Sequence, residues 1–202
     1  MTWLVLLVVV VAVALAATWP IRAHNALVRM QTVVIESWRG IDIELARRWD
    51  LIPRLVDVAR AFAKHEAATL IELARVRSPG GLSEDPTAAL AQLNDGVLAA
   101  TASQDLALDR AIRRLRATAE GYPELRASDH YSAVLSELAA TDDRIAAARR
   151  LYNGNVSRYN ARLRSFPVSA IGRRTGFDGA EFFELDDPAK ARLPPLRGDP
   201  PP

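Results

Sequence analysis

The side chains most able to do chemistry are a repeat in the C-terminal half, where the pairs Tyr152-Asn153 and Tyr159-Asn160 stand seven residues apart. A seven-residue step returns to nearly the same face of a helix, so both pairs should line one surface. Phenol and amide groups are costly to bury unless each finds a hydrogen-bond partner. We therefore interpret the repeat as paired polar layers of a packed helix rather than as a catalytic site.

Other patterns that would support catalysis are incomplete. His65-Glu66 resembles the start of a zinc-protease motif, but the second histidine of that motif would stand where the chain has Thr69. The chain has three histidines and no cysteine, so we expect no metal site and interpret His65 as a hydrogen-bonded layer residue. No serine lies in a nucleophile elbow, and the Pro-Gly-Gly sequence at 79–81 lacks the lysine of a phosphate loop. We predict a protein that is not an enzyme, with no catalytic residue, cofactor or small-molecule substrate.

Composition sets the fold class. The chain has 202 residues, of which 50% are hydrophobic, 25% charged and 6% aromatic. Because alanine and leucine supply most of the apolar surface, helices are favoured over strands. The net charge of +2 is too small for a nucleic-acid-binding surface, so we expect no nucleic-acid partner. The absence of cysteine excludes disulfides but does not fix the cellular compartment.

The first 20 residues predict a membrane anchor. No charged residue lies between Trp3 and Trp19, and as a helix this stretch spans ~26 Å against a hydrocarbon core of ~30 Å. The two tryptophans resemble interfacial anchors, and Pro20 is expected to mark the exit. The alternative is a cleaved signal peptide, suggested by small residues at 14–17, but no lysine or arginine precedes the apolar run. We expect residues 3–19 to lie in the lipid bilayer.

Flanking charge predicts the orientation of this anchor. Arg22, Arg29 and Arg39 follow the apolar run, and no basic side chain precedes it. The positive-inside rule then places the C-terminal domain of a single-pass cell-membrane protein in the cytoplasm. The extracytoplasmic placement stays open as the alternative.

Apolar periodicity after the anchor predicts four helical segments. The first covers about 24–48, and the second begins with Asp50 as its cap, unless one long helix is kinked at Pro53. The third runs from Ser83 to Gly121, and the fourth from Ser128 to Pro167. The predicted fold is all-α, an N-terminal transmembrane helix followed by an antiparallel up-and-down four-helix bundle. We assign residues 1–20 to the anchor, 21–187 to the bundle domain and 188–202 to a disordered Pro-rich tail.

Two sets of residues, one polar and one aromatic with arginines, each have more than one interpretation. Asn153 and Asn160 could join an arginine–carboxylate network of the first helix, whereas we expect Arg48 to face solvent. The aromatic and arginine segment at 166–183 is either a lid on the open end of the bundle or a second, interfacial contact with the membrane.

Several ordered motifs together resemble the LemA family, which comprises single-pass bacterial membrane proteins with a helical-bundle domain. The resemblance covers about residues 20–185 and departs mildly from the family at His24, Gln31, Arg54 and Asp142-Asp143. It implies an anchor and a four-helix bundle without catalytic residues, and one magnetosome-associated branch of the family hints at membrane organisation. The motifs are HNALV at 24–28, WRGID at 38–42, RRWDLIP at 47–53, HE at 65–66, EGYPEL at 120–125, RI at 144–145, AR at 148–149, YN at 152–153 and 159–160, SFP at 165–167 and EFFE at 181–184.

We therefore expect a membrane-anchored, non-enzymatic scaffold or interaction protein of the bacterial cell envelope, which binds a protein partner or itself through its helical bundle. The alternative is a membrane-organising or lipid-contacting protein that uses the segment at 166–183. An enzyme that acts on envelope material is a third hypothesis, disfavoured because no convergent acid, base, nucleophile or metal set is found.

Overall fold

The computed structural model describes residues 1–60, 68, 71 and 82–184, and this part of the chain is helical, with turns, one extended segment and no strand. The side chains of Val9 and residues 12–17 are outside the description. An all-α fold is thereby confirmed. The helices are α1 (Thr2–Asp50), α2 (Ile52–Ala59), α3 (Pro86–Gln92), α4 (Leu98–Ala119), α5 (Pro123–Arg126), α6 (Asp129–Arg164) and α7 (Val168–Thr175), with a wide turn at Leu93–Val97 between α3 and α4.

Helix α1 is continuous from the predicted anchor into the domain. Pro20 lies inside it, so the helix does not end where the membrane exit is predicted. Within the described residues, no helix meets the length and apolarity required of a membrane crossing. Part of the predicted anchor, namely Val9 and residues 12–17, lies outside the described side chains.

The helix ends follow local capping chemistry in most cases. Ser128 accepts a hydrogen bond from the Tyr131 N–H and begins α6 as predicted. Asp85, rather than Ser83, caps α3 by accepting from the Ala88 N–H. The prediction that Asp50 caps the second helix is wrong, because Asp50 is the last residue of α1 and α2 begins after Leu51 without a side-chain cap.

The third predicted helix is interrupted at the turn between α3 and α4. Gly96 has a φ of 105°, a left-handed conformation that side chains with a Cβ rarely adopt, and Asp95 before it is also non-helical. The kink separates the direction of α3 from that of α4. The second predicted helix is described to Arg60 and then at residues 68 and 71, and the remainder of it lies outside the described residues.

Helices α1 and α6 run antiparallel along each other. Arg48 of α1 pairs with Asp142 near the start of α6, and Trp38 contacts Tyr152 further along. The buried residues of these two helices and of the elements packed against them form two hydrophobic clusters. The first includes Leu27, Trp38, Leu90, Tyr152, Tyr159 and Phe183, and the second includes Trp49, Leu55, Leu108, Leu115, Tyr131 and Leu138.

Candidate functional site

An extended segment of eight residues, 177–184, lies across the first hydrophobic cluster and is called the strap here. Helix α7 precedes it and ends at Gly176, which has a φ of 73°. Extended chain without a neighbouring strand must find hydrogen-bond partners elsewhere. Five side chains supply them, and we call these the clasp: Asn94, Tyr152, Asn153, Tyr159 and Asn160.

The two asparagines of the repeat bind the strap through reciprocal pairs of hydrogen bonds. The Asn160 amide donates to the Ala180 carbonyl at 2.8 Å and accepts from the Ala180 N–H at 2.9 Å. Asn153 does the same with Phe183, at 3.1 Å and 2.9 Å. Each amide thus replaces one residue of a neighbouring strand, because it offers one donor and one acceptor side by side.

The two tyrosines bind the same segment at the same spacing. The Tyr159 hydroxyl donates to the Asp178 carbonyl at 2.7 Å, and the Tyr152 hydroxyl donates to the Glu181 carbonyl at 2.9 Å. Seven residues of helix rise about 10.5 Å, and three residues of extended chain span about 10 Å. A seven-residue repeat on α6 therefore matches a three-residue step on the strap, which explains the spacing of the two pairs.

Asn94 binds the strap from the turn between α3 and α4. Its amide donates to the Gly179 carbonyl at 2.9 Å and accepts from the Glu181 N–H at 3.2 Å. The backbone around Ala180 is consequently bonded both from α6 and from the kinked turn that contains Gly96. Sequence reasoning missed Asn94, because a single asparagine carries no periodic signal.

Two strap side chains are buried, and they anchor the segment. Ala180 and Phe183 are 5% and 3% exposed. The Phe183 ring meets Trp38 edge to face, with 5.1 Å between the ring centres, and Trp38 also meets Tyr152 at 5.7 Å. The clasp binds the strap through backbone atoms of the strap, so Ala180 and Phe183 are the fully buried positions that select for a residue type.

Burial raises the pKa of both tyrosines of the clasp. Desolvation, followed by the negative charge of Asp178, raises the pKa of Tyr159 to about 12, although a hydrogen bond with Gln31 opposes the rise. Desolvation and then Glu181 raise the pKa of Tyr152 well above its ordinary value. Both hydroxyls consequently remain protonated donors throughout the physiological pH range.

A second polar group is ionic and lies between the two hydrophobic clusters. Arg48 is 4% exposed and Asp105 5% exposed, and their Nη1 and Oδ1 atoms are 2.5 Å apart. Arg48 Nη2 is 3.2 Å from Asp109 Oδ1, and its Nε is 3.1 Å from Asp142 Oδ1 without the alignment of a hydrogen bond. The expectation that Arg48 faces solvent is wrong, and Asn153 and Asn160 bind the strap rather than this network.

We call Arg48, Asp105, Asp109 and Asp142 the charged layer, in which one buried arginine faces three carboxylates and Arg113 also pairs with Asp109. Desolvation raises the pKa of Asp142 above its ordinary value, and the attraction of Arg48 only partly opposes it. A signal for this layer exists in the sequence, since Arg48 and Asp105 occupy positions of the apolar stripes of their helices. Stripe position alone does not show whether a charged residue is buried or bends outward.

The aromatic and arginine segment at 166–183 divides between core and surface. Phe183 is buried, and Phe177 is half-buried with its ring 5.3 Å from that of His24. Phe166 is 88% exposed and Phe182 47% exposed. Arg173 and Arg174 are exposed as well. The lid interpretation therefore describes Phe177 and Phe183 but not Phe166.

The described residues contain no group of three histidine, aspartate or glutamate side chains that could hold a metal ion. His65 and Thr69 lie outside them. Where the structure describes them, the polar groups of the clasp and of the charged layer bind other parts of this chain. The clasp thus binds an extended backbone.

The sequence matches the model of a known family over most of the described domain. The LemA family model matches residues 37–196, a range that includes the clasp and the strap. The chain belongs to the LemA family. The Tyr–Asn repeat, the strap and the charged layer all lie within the matched residues.

Curated relatives of this LemA chain are magnetosome proteins. Magnetosome protein MamQ 1 and Magnetosome protein MamQ 2 of Paramagnetospirillum magneticum are each 36% identical to it over 74 residues, which is 37% of this chain and 27% of theirs. Magnetosome protein MamQ of Magnetospirillum gryphiswaldense is 33% identical over 73 residues, or 36% of this chain and 27% of that protein. The matched stretch is thus about a quarter of each relative.

Proposed function

We propose that this LemA-family chain is a membrane-anchored, non-enzymatic scaffold of the bacterial cell envelope that engages a protein partner or a second copy of itself. The observation that carries the proposal is the clasp, where five polar side chains bind an extended backbone. Side chains used in this way recognise a polypeptide rather than transform a substrate. The names of the magnetosome relatives favour a role in an organised cellular assembly.

The proposed anchor rests on the exposed start of α1. Trp3 is 84% exposed, and Leu4, Val5, Leu6, Leu7 and Val8 are exposed as well. An apolar surface of this kind is unfavourable in water and favourable in lipid. Since α1 continues without a break to Asp50, the anchor would be rigidly joined to an antiparallel up-and-down four-helix bundle within residues 21–187. The flanking arginines favour a cytoplasmic bundle.

Cell fractionation of the full chain tests the anchor. We expect Leu7→Arg combined with Val10→Arg to move the protein from the membrane fraction to the supernatant, because charges within an apolar span are costly. Leu151→Arg, at an exposed leucine of α6, is the matched control and should stay with membranes. A reporter fused after Pro202 then assigns the side of the membrane. A wild-type chain in the supernatant would refute the anchor.

A second candidate function is lipid contact beside the anchor. Phe166 is almost fully exposed, and Arg164, Arg173 and Arg174 near it in the chain are exposed too. Helix α6 ends at Arg164, at the end of the domain where His24 meets Phe177. Aromatic and arginine side chains together suit an interface with acidic headgroups.

The absence of native cysteine makes this second candidate testable with a single label. Phe166→Cys carrying an environment-sensitive fluorophore should shift to the blue in vesicles with anionic lipid. The same label at Ala140→Cys, an exposed alanine of α6, should not shift. Equal spectra at the two sites would remove the lipid-contact hypothesis and leave the scaffold untouched.

A further inference from the structure

The strap is bound in a manner that does not depend on which copy of the chain supplies it. Its hydrogen bonds to the clasp use only backbone atoms of residues 178–181 and 183. The buried side chains are Ala180 and Phe183, and Asp178, Gly179, Glu181, Phe182 and Glu184 are exposed. A second copy offers the same backbone and the same two side chains, so all contacts broken within one copy can form again between two copies.

The geometry at the start of the strap suits such an exchange. Gly176 joins α7 to the strap in a left-handed conformation, and a Cβ placed there would meet no atom within 4 Å. Glycine has access to many backbone conformations, so the strap can leave at this residue without disturbing α7. Short joints of this kind are where identical elements exchange between copies.

The position of the clasp along α1 would also be the same in two anchored copies, so both clasps would lie at the same distance from the membrane. The strap follows α1 from His24 to Trp38, since its two ends contact those rings. Fourteen residues of helix rise about 21 Å, and six extended residues span about 20 Å. Two copies whose α1 helices stand side by side in one membrane would present their clasps at the same level, and confinement to a membrane raises their effective concentration.

We propose that the clasp is an interaction site whose partner is the strap of a second copy, so that the chain associates by reciprocal strap exchange. This inference rests on the proposed scaffold function and names its partner and its site. The strap bound within one copy competes with the strap of the next copy. Surface density on the membrane then sets which state is populated.

Mixing two defective full-length variants tests exchange directly. Asn153→Ala with Asn160→Ala damages the clasp and keeps the strap, whereas Phe183→Asp damages the strap and keeps the clasp. Only a mixture pairs an intact clasp with an intact strap. In detergent, with a different tag on each variant, we expect about tenfold more co-purification from the mixture than from two tagged forms of either variant alone.

A matched control and a second measurement separate exchange from misfolding. Asn155→Ala removes a buried amide of the same helix that bonds to Arg158 rather than to the strap, and it should pair as wild type does. A labelled peptide of residues 176–184 should bind the Phe183→Asp variant and fail to bind when Asn153→Ala and Asn160→Ala are added. Equal capture in mixed and unmixed samples, with peptide binding retained, refutes exchange.

Loss of peptide binding as well, in variants whose helical circular dichroism is native, refutes the clasp as a site for a strap supplied in trans. The proposed scaffold function is judged separately, by membrane fractionation of the wild-type chain. Failure of exchange with a membrane-bound wild type overturns this inference alone. A wild-type chain in the supernatant overturns the anchor, whatever the outcome of the mixing experiment.

Discussion

The clasp and the charged layer are two polar regions on the same pair of long helices, and they solve the problem of burial in different ways. The clasp uses neutral amides and phenols, and each asparagine forms both a donor and an acceptor bond with the strap. The charged layer uses ions, and Arg48 Nε and Asp142 Oδ1 remain without a hydrogen bond. Neutral groups bury at low cost once bonded, whereas ions also lose hydration.

The two regions contribute differently to the specificity and the stability of this fold. The clasp fixes an extended segment at one register through the spacing of two repeats. The charged layer separates two hydrophobic clusters and ties α1, α4 and α6 together at one height. We expect damage to the charged layer to act on global stability and damage to the clasp to act on the strap.

Removal of Arg48 has the largest expected effect. Arg48→Leu leaves the buried Asp105 carboxylate without its cation, whereas Asp109 keeps its pair with Arg113, and this should lower the free energy of unfolding by about 3–5 kcal/mol. Urea denaturation followed by circular dichroism measures this loss. Adding Asp105→Leu should restore much of it, because the remaining carboxylates are partly exposed. A loss below about 1 kcal/mol would mean that the charged layer contributes no more to stability than surface ion pairs do.

Damage to the clasp is expected to be smaller and local. Asn160→Ala removes the bonds to both backbone groups of Ala180 and should cost about 1–3 kcal/mol. Hydrogen exchange should accelerate in residues 178–183 while the centre of α6 stays protected. Asn155→Ala is the control on the same helix. If hydrogen exchange accelerates equally across α1 and α6, the clasp stabilises the whole domain. The clasp and the charged layer would then not differ in this respect.

The kink that carries Asn94 gives a third, intermediate test. Gly96→Ala forces a side chain into the left-handed region and should cost about 1–2 kcal/mol. Because Asn94 is in the same turn, exchange at Gly179 and Glu181 should also accelerate. Gly154→Ala is the control, since Gly154 lies inside α6 with open space around it and should gain about 0.5–1 kcal/mol. Equal effects at both glycines would contradict the strain argument.

Apolar periodicity predicts the all-α class and α6 well, but it does not predict the kink at Gly96 or the partners of the polar residues. Apolar periodicity and the cap at Ser128 depend on neighbouring residues, so the start and extent of α6 followed from the sequence. The repeat of Tyr152-Asn153 was identified as a packing surface, but its partner lies about 30 residues away in a segment without periodicity. Arg48 was misassigned because only the tertiary fold brings three carboxylates to it.

The clasp and the charged layer should also differ in their response to pH, and this difference should be the smallest of the effects. Desolvation first, opposed by Arg48 and reinforced by Asp105, raises the folded-state pKa of Asp142 above 3.8. The folded state therefore binds this proton more tightly than the unfolded state does. The resulting stabilisation is complete below the unfolded pKa and is lost as the pH rises through the folded pKa.

Asp142→Asn should abolish that loss, so its melting temperature should fall less than that of the wild type between pH 4 and pH 6, and the variant should be at least as stable at neutral pH. Asp143→Asn removes an exposed charge that is the last of the causes of the raised Asp142 pKa, so as the comparison variant it should reduce the pH dependence much less. The clasp should contribute nothing over this range, since the pKa of Tyr159 is about 12. If the melting temperatures of the wild type and of Asp142→Asn shift equally with pH, the group that titrates in this range lies outside the charged layer.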